Sequence, residues 1–284
     1  LVLSLSIRQD LGFWSLAAVY FPSTLPFFLA GTTVSLAIAE TIERVDRVYF
    51  YDLIGAGAGC LLLVPLLNTF GGPNTVIATA AIYAVSAAIW YSLAGKVAGR
   101  VASVVLALAL LVLLGYNAKF RVIDVKYAKG APLQNEQFVK WNSFSRIAVA
   151  PDRNSGAPTV YIDADASTAI ANFELKYMRE VDREALLKPG PGFPYAMRPG
   201  AKALIIGPGG GWDVARAVAS GSRDVTGVEI NPIIAETVMQ KRFPEYSRYL
   251  YTSPEVHIVV EEGRSFVRRS REKYQVIQAT LVDT

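Results

Sequence analysis

The sequence predicts a bundle of membrane-spanning helices, then a small β subdomain, then an α/β domain with a parallel sheet. Three observations predict this. Charge density changes abruptly near residue 117, strands and helices alternate from residue 199 onward, and a glycine-rich turn, "IIGPGGGWDVARAV" (205–218), joins the first strand of that alternation to its first helix.

The 284 residues are 52% hydrophobic and 18% charged, with a positive mean hydropathy. These averages hide a division. Residues 1–117 carry five basic and five acidic side chains, whereas residues 118–284 carry 23 and 19, so the net +4 lies in the second part. Two compositions in one chain imply two solvents. The pI near 9 does not indicate nucleic-acid binding, because the bases are scattered among acids. The one dense cluster, Arg264, Arg268, Arg269, Arg271 and Lys273, reads as a solvated helix face. The lone Cys60 lies among apolar residues and forms no internal disulfide; it reads as packing. The chain opens at "LVLSLSIRQD" without an initiator Met or a signal-peptide pattern, and is expected to be a fragment cut at both ends.

Crossing a hydrocarbon core takes ~20 apolar residues in a helix. Uncharged stretches run over 11–39, 53–95 and 101–118, the second interrupted by the turn signal "NTFGGPN" at 68–74. Residues 1–117 are therefore predicted to hold four spans, roughly 16–39, 49–68, 75–94 and 101–117. Gly55, Gly57 and Gly59 bare one face of the second span, as in a packing seam within a bundle. Asp52 falls near the end of that span, beside Tyr49 and Tyr51, at headgroup level. No Lys or Arg lies inside a span, so this half reads as an anchor or scaffold. Arg44, Arg47, Lys96 and Arg100 on one side balance Arg8, Lys119, Arg121, Lys126 and Lys129 on the other, and the positive-inside rule leaves orientation open.

Residues 118–198 are predicted to form a small β-rich subdomain ("FRVIDVKYA", "SRIAVAP", "TVYIDAD"), a helix over 166–181 and a turn-rich linker, "KPGPGFPYAMRPG" (188–200). Residues 199–284 follow as the nucleoside-binding βαβ domain. Its strands are "KALIIG", "DVTGVEI", "VHIVVEEG" and "YQVIQATL"; its helices are "WDVARAVAS", "IIAETVMQKRF" and "RSFVRRSRE".

Gly207, Gly209 and Gly211 form G-x-G-x-G at the first strand–helix turn, with Gly210 among them. Glycine permits the tight turn and leaves no side chain between backbone and ligand. A dinucleotide binder places its third glycine where this chain has Trp212, so a pyrophosphate cradle is disfavoured. The spacing suits a nucleoside with an amino-acid arm, such as S-adenosylmethionine. Glu229 ends the second strand and suits a ribose diol; Glu262 ends the third, before Gly263, and suits an adenine or its ribose edge. The only histidine, His257, sits in a strand and reads as a structural or edge residue. No cluster has metal-ligand spacing, and no metal is expected.

"ALIIGPGGGWDVARAV", "VTGVEINP", "RFPEY", "VVEEGRSF" and "YQVIQATLVDT" resemble, in order and spacing, the core of spermidine synthases. With "YFYDLIGAGAG", the whole chain resembles bacterial membrane-fused spermidine-synthase-like proteins. The resemblance implies a Rossmann-like, methyltransferase-type α/β domain, incomplete at its C-terminus. It implies that Gly207, Gly209 and Gly211 line the methionine arm, Glu229 holds the ribose, Glu262 lies near the adenine, and Asp163 sits near a substrate gate. It also exposes departures. The family's strand-four base falls on Thr280, which is no base near neutral pH, and its second acid falls on Asp283, a candidate substrate-binding group. The family's glycine-loop acid falls on Gly210, and its glutamine near Ser167.

The implied activity is that of a membrane-anchored transferase binding S-adenosylmethionine or its decarboxylated form and moving an aminopropyl group to an amine. A methyltransferase on the same fold, and a non-catalytic nucleoside sensor attached to a transporter-like bundle, remain as alternatives. The expected partners are the lipid bilayer, a small-molecule amine or other acceptor and a second copy in a homodimer, with no nucleic acid. The expected location is the inner cell membrane, multi-pass, with the soluble part cytoplasmic, where the nucleoside is made. The isolated fragment is expected to be inactive.

Overall fold

In the computed structural model, residues 13–128, 131–133, 135–152, 154–163, 166–188 and 190–280 are described. The chain forms two compact units, residues 1–134 with 141–145, and residues 135–140 with 146–284.

The first unit is helical: α1 (Phe13–Glu40), a 3-10 turn (Ile42–Arg44), α2 (Val45–Leu93) and α3 (Val97–Phe120). Among the described residues, three helices are long and apolar enough to cross a membrane, and the second of them, α2, is two helices joined at a kink. The expected turn at 68–74 contracts to one residue, Gly71, at φ 76° and ψ 171°. Pro73 follows in the next turn, where a missing amide is tolerated. The Asn74 side chain bonds back to Phe70 O at 2.9 Å and Thr75 to Gly71 O at 2.8 Å. Helical geometry therefore resumes at once, and the two expected spans run together as one broken helix. Unbroken, 49 residues would extend about 73 Å, over twice a hydrocarbon core. A Cβ at Gly72 would lie 2.8 Å from the Trp141 ring, so the break is packed against an aromatic lid.

The second half of α2 and α3 form an antiparallel hairpin. Ala78, Ala81, Ala84 and Ala107 are buried, and small side chains let helix backbones approach closely. Asn117, 1% exposed, donates to Asn74 Oδ1 at 2.7 Å and to the Ile123 carbonyl at 2.9 Å, and accepts from the Ile123 amide. Cys60 is exposed on the first half of α2 rather than packed. Nothing lies within 4 Å of a Cβ placed at Gly55, Gly57 or Gly59, so the expected seam is open within this chain.

After the two-stranded β1 (Tyr127–Ala128) and β2 (Ala131–Pro132), a four-stranded sheet runs in the order β3 (Phe138–Trp141), β4 (Arg146–Pro151), β5 (Pro158–Ile162), β6 (Ala166–Ala169). The helix expected over 166–181 is absent. Ala166–Ala169 instead pair antiparallel with β5, Ser167 opposite Tyr161, and a 3-10 turn (Leu175–Tyr177) and α4 (Glu180–Leu187) follow. Pairing with a neighbouring strand outweighs the helix propensity of the alanines. The stretch 188–200 holds a 3-10 turn (Gly190–Gly192) and α5 (Phe193–Met197), whose Tyr195 is wholly buried.

The second sheet is parallel, in the order β10 (Val276–Ala279), β7 (Ala203–Ile206), β8 (Val225–Glu229), β9 (Val256–Val260). Every residue of β8 is buried, as a central parallel strand demands. His257 lies on the edge strand β9, opposite Thr226. Helix α6 (Trp212–Ala219) buries Val214, Ala215, Ala217 and Ala219. A π-helix (Ile233–Arg242) and α7 (Gly263–Arg269) complete the alternation. One core runs through both sheets, with Ile147, Val149 and Val160 joining Val214, Val225 and Val238.

Candidate functional site

The chain passes from β7 to β8 and β9 on one side, then returns to lay β10 on the other. The order reverses between β7 and β10. In open α/β sheets, ligands bind at the carboxyl ends of strands flanking such a reversal. The glycine loop leaves β7 there, and Thr280 follows β10 there.

Local chemistry shapes the loop. Gly207, Gly209 and Gly211 have φ of 69°, 51° and 90°, left-handed values that glycine adopts without a Cβ penalty. Pro208 lies over β8 because Gly227 has no side chain; a Cβ there would be 3.2 Å from the proline ring. The Gly209 amide donates to Glu229 Oε2 at 3.2 Å, and the Asn231 amide donates to Oε1 at 3.0 Å. Glu229 is 5% exposed. Burial raises its carboxyl above the ordinary range, and the Asn231, Gly209 and Ile230 amides offset part of that shift. Each carboxylate oxygen accepts more than one hydrogen bond. A pair of vicinal hydroxyls therefore finds acceptors beside the amides already bound.

The third strand end reaches the same rim through its backbone. The Glu261 amide donates to the Glu229 carbonyl at 3.2 Å. A Cβ at Gly263 would lie 2.7 Å from Ile206 Cγ2, so the turn before α7 closes onto the end of β7. Glu262 itself is exposed and caps α7, accepting from the Arg264 and Ser265 amides at 2.8 Å and from Ser265 Oγ at 2.9 Å. Those amides hold its carboxyl below the usual range. Gly207, Gly209, Glu229 and Gly263 are thus brought together, while the Glu262 carboxylate turns to its own helix.

The rest of the loop is covered by protein. The Gly210 amide donates to Thr168 Oγ1 at 3.3 Å, and its carbonyl accepts from the Ala171 amide at 2.8 Å. A Cβ at Gly210 would lie 2.0 Å from the Ala169 carbonyl oxygen. No acid fits where the resemblance places one. Gly211 backs onto Leu250, Tyr251 and Met239, and its amide bonds to Pro208 O. The first turn of α6 carries Asp213, paired with Arg216 at 2.6 Å. Arg216 lies over the Trp212 ring, which meets Phe173 edge-on at 5.0 Å. At the end of β10, buried Gln278 donates to Thr280 Oγ1 at 2.9 Å and to the Pro191 carbonyl at 3.0 Å.

Asp163 sits after β5 at φ 50°, accepting from the Arg146 amide at 2.8 Å while its own amide donates to the Arg146 carbonyl. These bonds close the β4–β5 pair at the end away from its turn, and among the described residues none joins Asp163 to the glycine loop. Asp283 lies outside the described residues. Sequence reasoning missed Thr168, Ala171, Tyr251 and Gln278. The first two fall in a segment that reads as helix, and no local pattern marks the others. A groove of about 1070 Å³ lined by Ala219, Gly221, Arg223 and Glu255 lies at the opposite edge of the sheet, before β8 and β9. It shares no residue with the glycine loop or Glu229.

No family model matches the chain. A polyamine aminopropyltransferase of Korarchaeum cryptofilum (strain OPF8) is 32% identical over 82 residues, which is 29% of this chain and 25% of that protein. The match therefore spans a quarter of the relative's length. Among solved structures, a spermidine synthase in complex with the transition-state analogue AdoDATO aligns with 20% identity and a TM-score of 0.38, covering 53% of this chain and 49% of the other. Spermidine synthase from Thermotoga maritima aligns with 19% identity and a TM-score of 0.39, covering 54% and 49%. By the sequence match, part of the chain is similar to a polyamine aminopropyltransferase.

Proposed function

We propose that the protein is a membrane-anchored aminopropyltransferase whose donor is decarboxylated S-adenosylmethionine, bound at the rim where Gly209 meets Glu229. The observation that carries this is the 3.2 Å bond from the Gly209 amide to a buried carboxylate at the topological switch of a parallel sheet. Glu229 would accept both ribose hydroxyls, and the turn at Gly207 and Gly209 would let the sulfur arm approach the backbone.

The loop's own chemistry supports a donor without a carboxylate. The amides of Gly207, Gly209, Gly210 and Gly211 are each bonded within the protein. The first turn of α6, where a helix would favour an anion, already holds Asp213. An anionic arm meets no free amide among these four glycines and a helix end already occupied by the Asp213–Arg216 pair.

The donor supplies a sulfonium, a good leaving group. The acceptor amine, neutral when it reacts, attacks the methylene carbon next to sulfur. The new C–N bond forms as the C–S bond breaks; the bonding pair goes to sulfur, leaving methylthioadenosine, and the surplus proton leaves the new ammonium for water. The protein's part is to orient the partners and exclude water. Thr280 holds a hydroxyl at the end of β10 but takes no proton near neutrality. The acceptor must therefore arrive deprotonated. The three apolar helices would hold the unit at a bilayer.

The test is product analysis. The full-length protein in nanodiscs, given both donors and a mixture of short polyamines, should release methylthioadenosine from the decarboxylated donor. Release of adenosylhomocysteine instead would make it a methyltransferase, and binding without product would make it a sensor.

A further inference from the structure

Two consecutive peptide groups of the glycine loop are gripped from outside the parallel sheet. On one side is Tyr251, in the 3-10 turn Leu250–Thr252. It is 2% exposed, and its hydroxyl donates to the Gly209 carbonyl at 2.7 Å. On the other are β6, whose Thr168 Oγ1 accepts from the Gly210 amide, and the residues just after it, where the Ala171 amide donates to the Gly210 carbonyl. The two gripping side chains each lie 42 residues from the glycine they hold.

A run of glycines has more conformational freedom to lose than any other sequence. Without outside contacts the loop would sample many shapes. The Gly209 amide is also one of the donors that orient the Glu229 carboxylate. Holding the Gly209 carbonyl thus fixes the neighbouring peptide plane and, through the amide of the same residue, the acceptor. Burial, with the nearby charges of Glu229 and Asp213, raises the Tyr251 phenol well above its ordinary value, so it is a donor at all working pH values.

We propose that Tyr251 and Thr168 are positioning residues for nucleoside binding, preforming the glycine loop so that Glu229 presents its carboxylate in the ribose-binding orientation. This rests on the reading of the rim as a nucleoside site. Neither side chain need touch the ligand. Their effect is to remove an ordering cost that binding would otherwise carry.

The experiment is calorimetric titration of the purified full chain in detergent with methylthioadenosine, alongside thermal unfolding. Tyr251→Phe should weaken binding about 3- to 10-fold, the scale of one hydrogen bond. Thr168→Val should weaken it in the same direction, and Thr168→Ser, which keeps the oxygen, should restore it. In a Glu229→Gln background the Tyr251→Phe loss should shrink below about twofold, because both changes disturb one acceptor. Wild-type binding with an unchanged affinity in Tyr251→Phe, or strictly additive losses with Glu229→Gln, would overturn the positioning role while sparing the site. Failure of the wild type to bind would overturn the nucleoside site and this inference together.

Discussion

The backbone amide of Gly209 donates to Oε2 of Glu229 across 3.2 Å, tying the turn after the first parallel strand to the end of the second. Twenty residues apart in the chain, these groups meet because β7 and β8 are paired neighbours whose carboxyl ends lie at one rim. The predictions below start from that contact.

Glu229→Gln should weaken nucleoside binding about 10- to 100-fold, the range for hydrogen bonds to a charged acceptor. The amide keeps the shape and loses the charge and half the acceptors. Titration with methylthioadenosine measures it. An unchanged affinity would remove Glu229 from the site.

Acidity should act on the same group in two opposite ways. Because burial raises the Glu229 carboxyl, the folded protein takes up this proton more readily than the unfolded chain. Its contribution to stability is then greatest below the ordinary carboxylate value of about 4.3 and is lost as pH rises through the raised value. Binding needs the carboxylate, so affinity should fall on acidification, beginning above that ordinary range. Titrations and urea unfolding between neutrality and about pH 4 read the two slopes, and Glu229→Gln should flatten both.

Gly210→Ala should destabilise the second unit by at least about 1–3 kcal/mol, as overpacking does, since its Cβ would sit 2.0 Å from a backbone oxygen. Gly55→Ala, inside a helix with open space around it, should not lower the unfolding temperature. Thermal melts of the pair decide whether β6 lies against the loop.

Asn117→Ala should lower the stability of the α2–α3 hairpin by about 1–3 kcal/mol, because it strips partners from buried polar groups. Asn74 Oδ1 and the Ile123 amide and carbonyl would each lose a bond. Circular dichroism melts in detergent would report it; a neutral result would contradict the buried latch.

Thr280→Asp should accelerate amine transfer about tenfold or more by supplying a proton acceptor at the end of β10. In the unaltered protein the rate should instead rise with pH until the acceptor amine is deprotonated. Rates of methylthioadenosine release against pH, for both proteins, separate the cases. Identical profiles would show that Thr280 does not face the amine.

The parallel strands were legible because each is a short apolar run bounded by turn residues, and β8, buried on both faces, is the clearest of them. The Gly207–Gly209 turn and Glu229 were legible because their spacing is local to one βαβ unit. Ala166–Ala169 were not, since four small residues carry little signal of their own and became a strand only against β5. The break between the second and third expected spans falls at Gly71, where side-chain bonds from Asn74 and Thr75 shrink the turn to one residue. Tyr251 and Thr168 escaped detection for the same reason as β6: their contacts with the loop are tertiary.

The most direct test of the central claim is a paired titration of the full chain with decarboxylated S-adenosylmethionine and with S-adenosylmethionine, repeated on Glu229→Ala. The account predicts that the decarboxylated donor binds more tightly by about tenfold, or 1.4 kcal/mol, and that both are lost in the variant. Equal binding to the variant, or preference for the carboxylate-bearing donor, would contradict it.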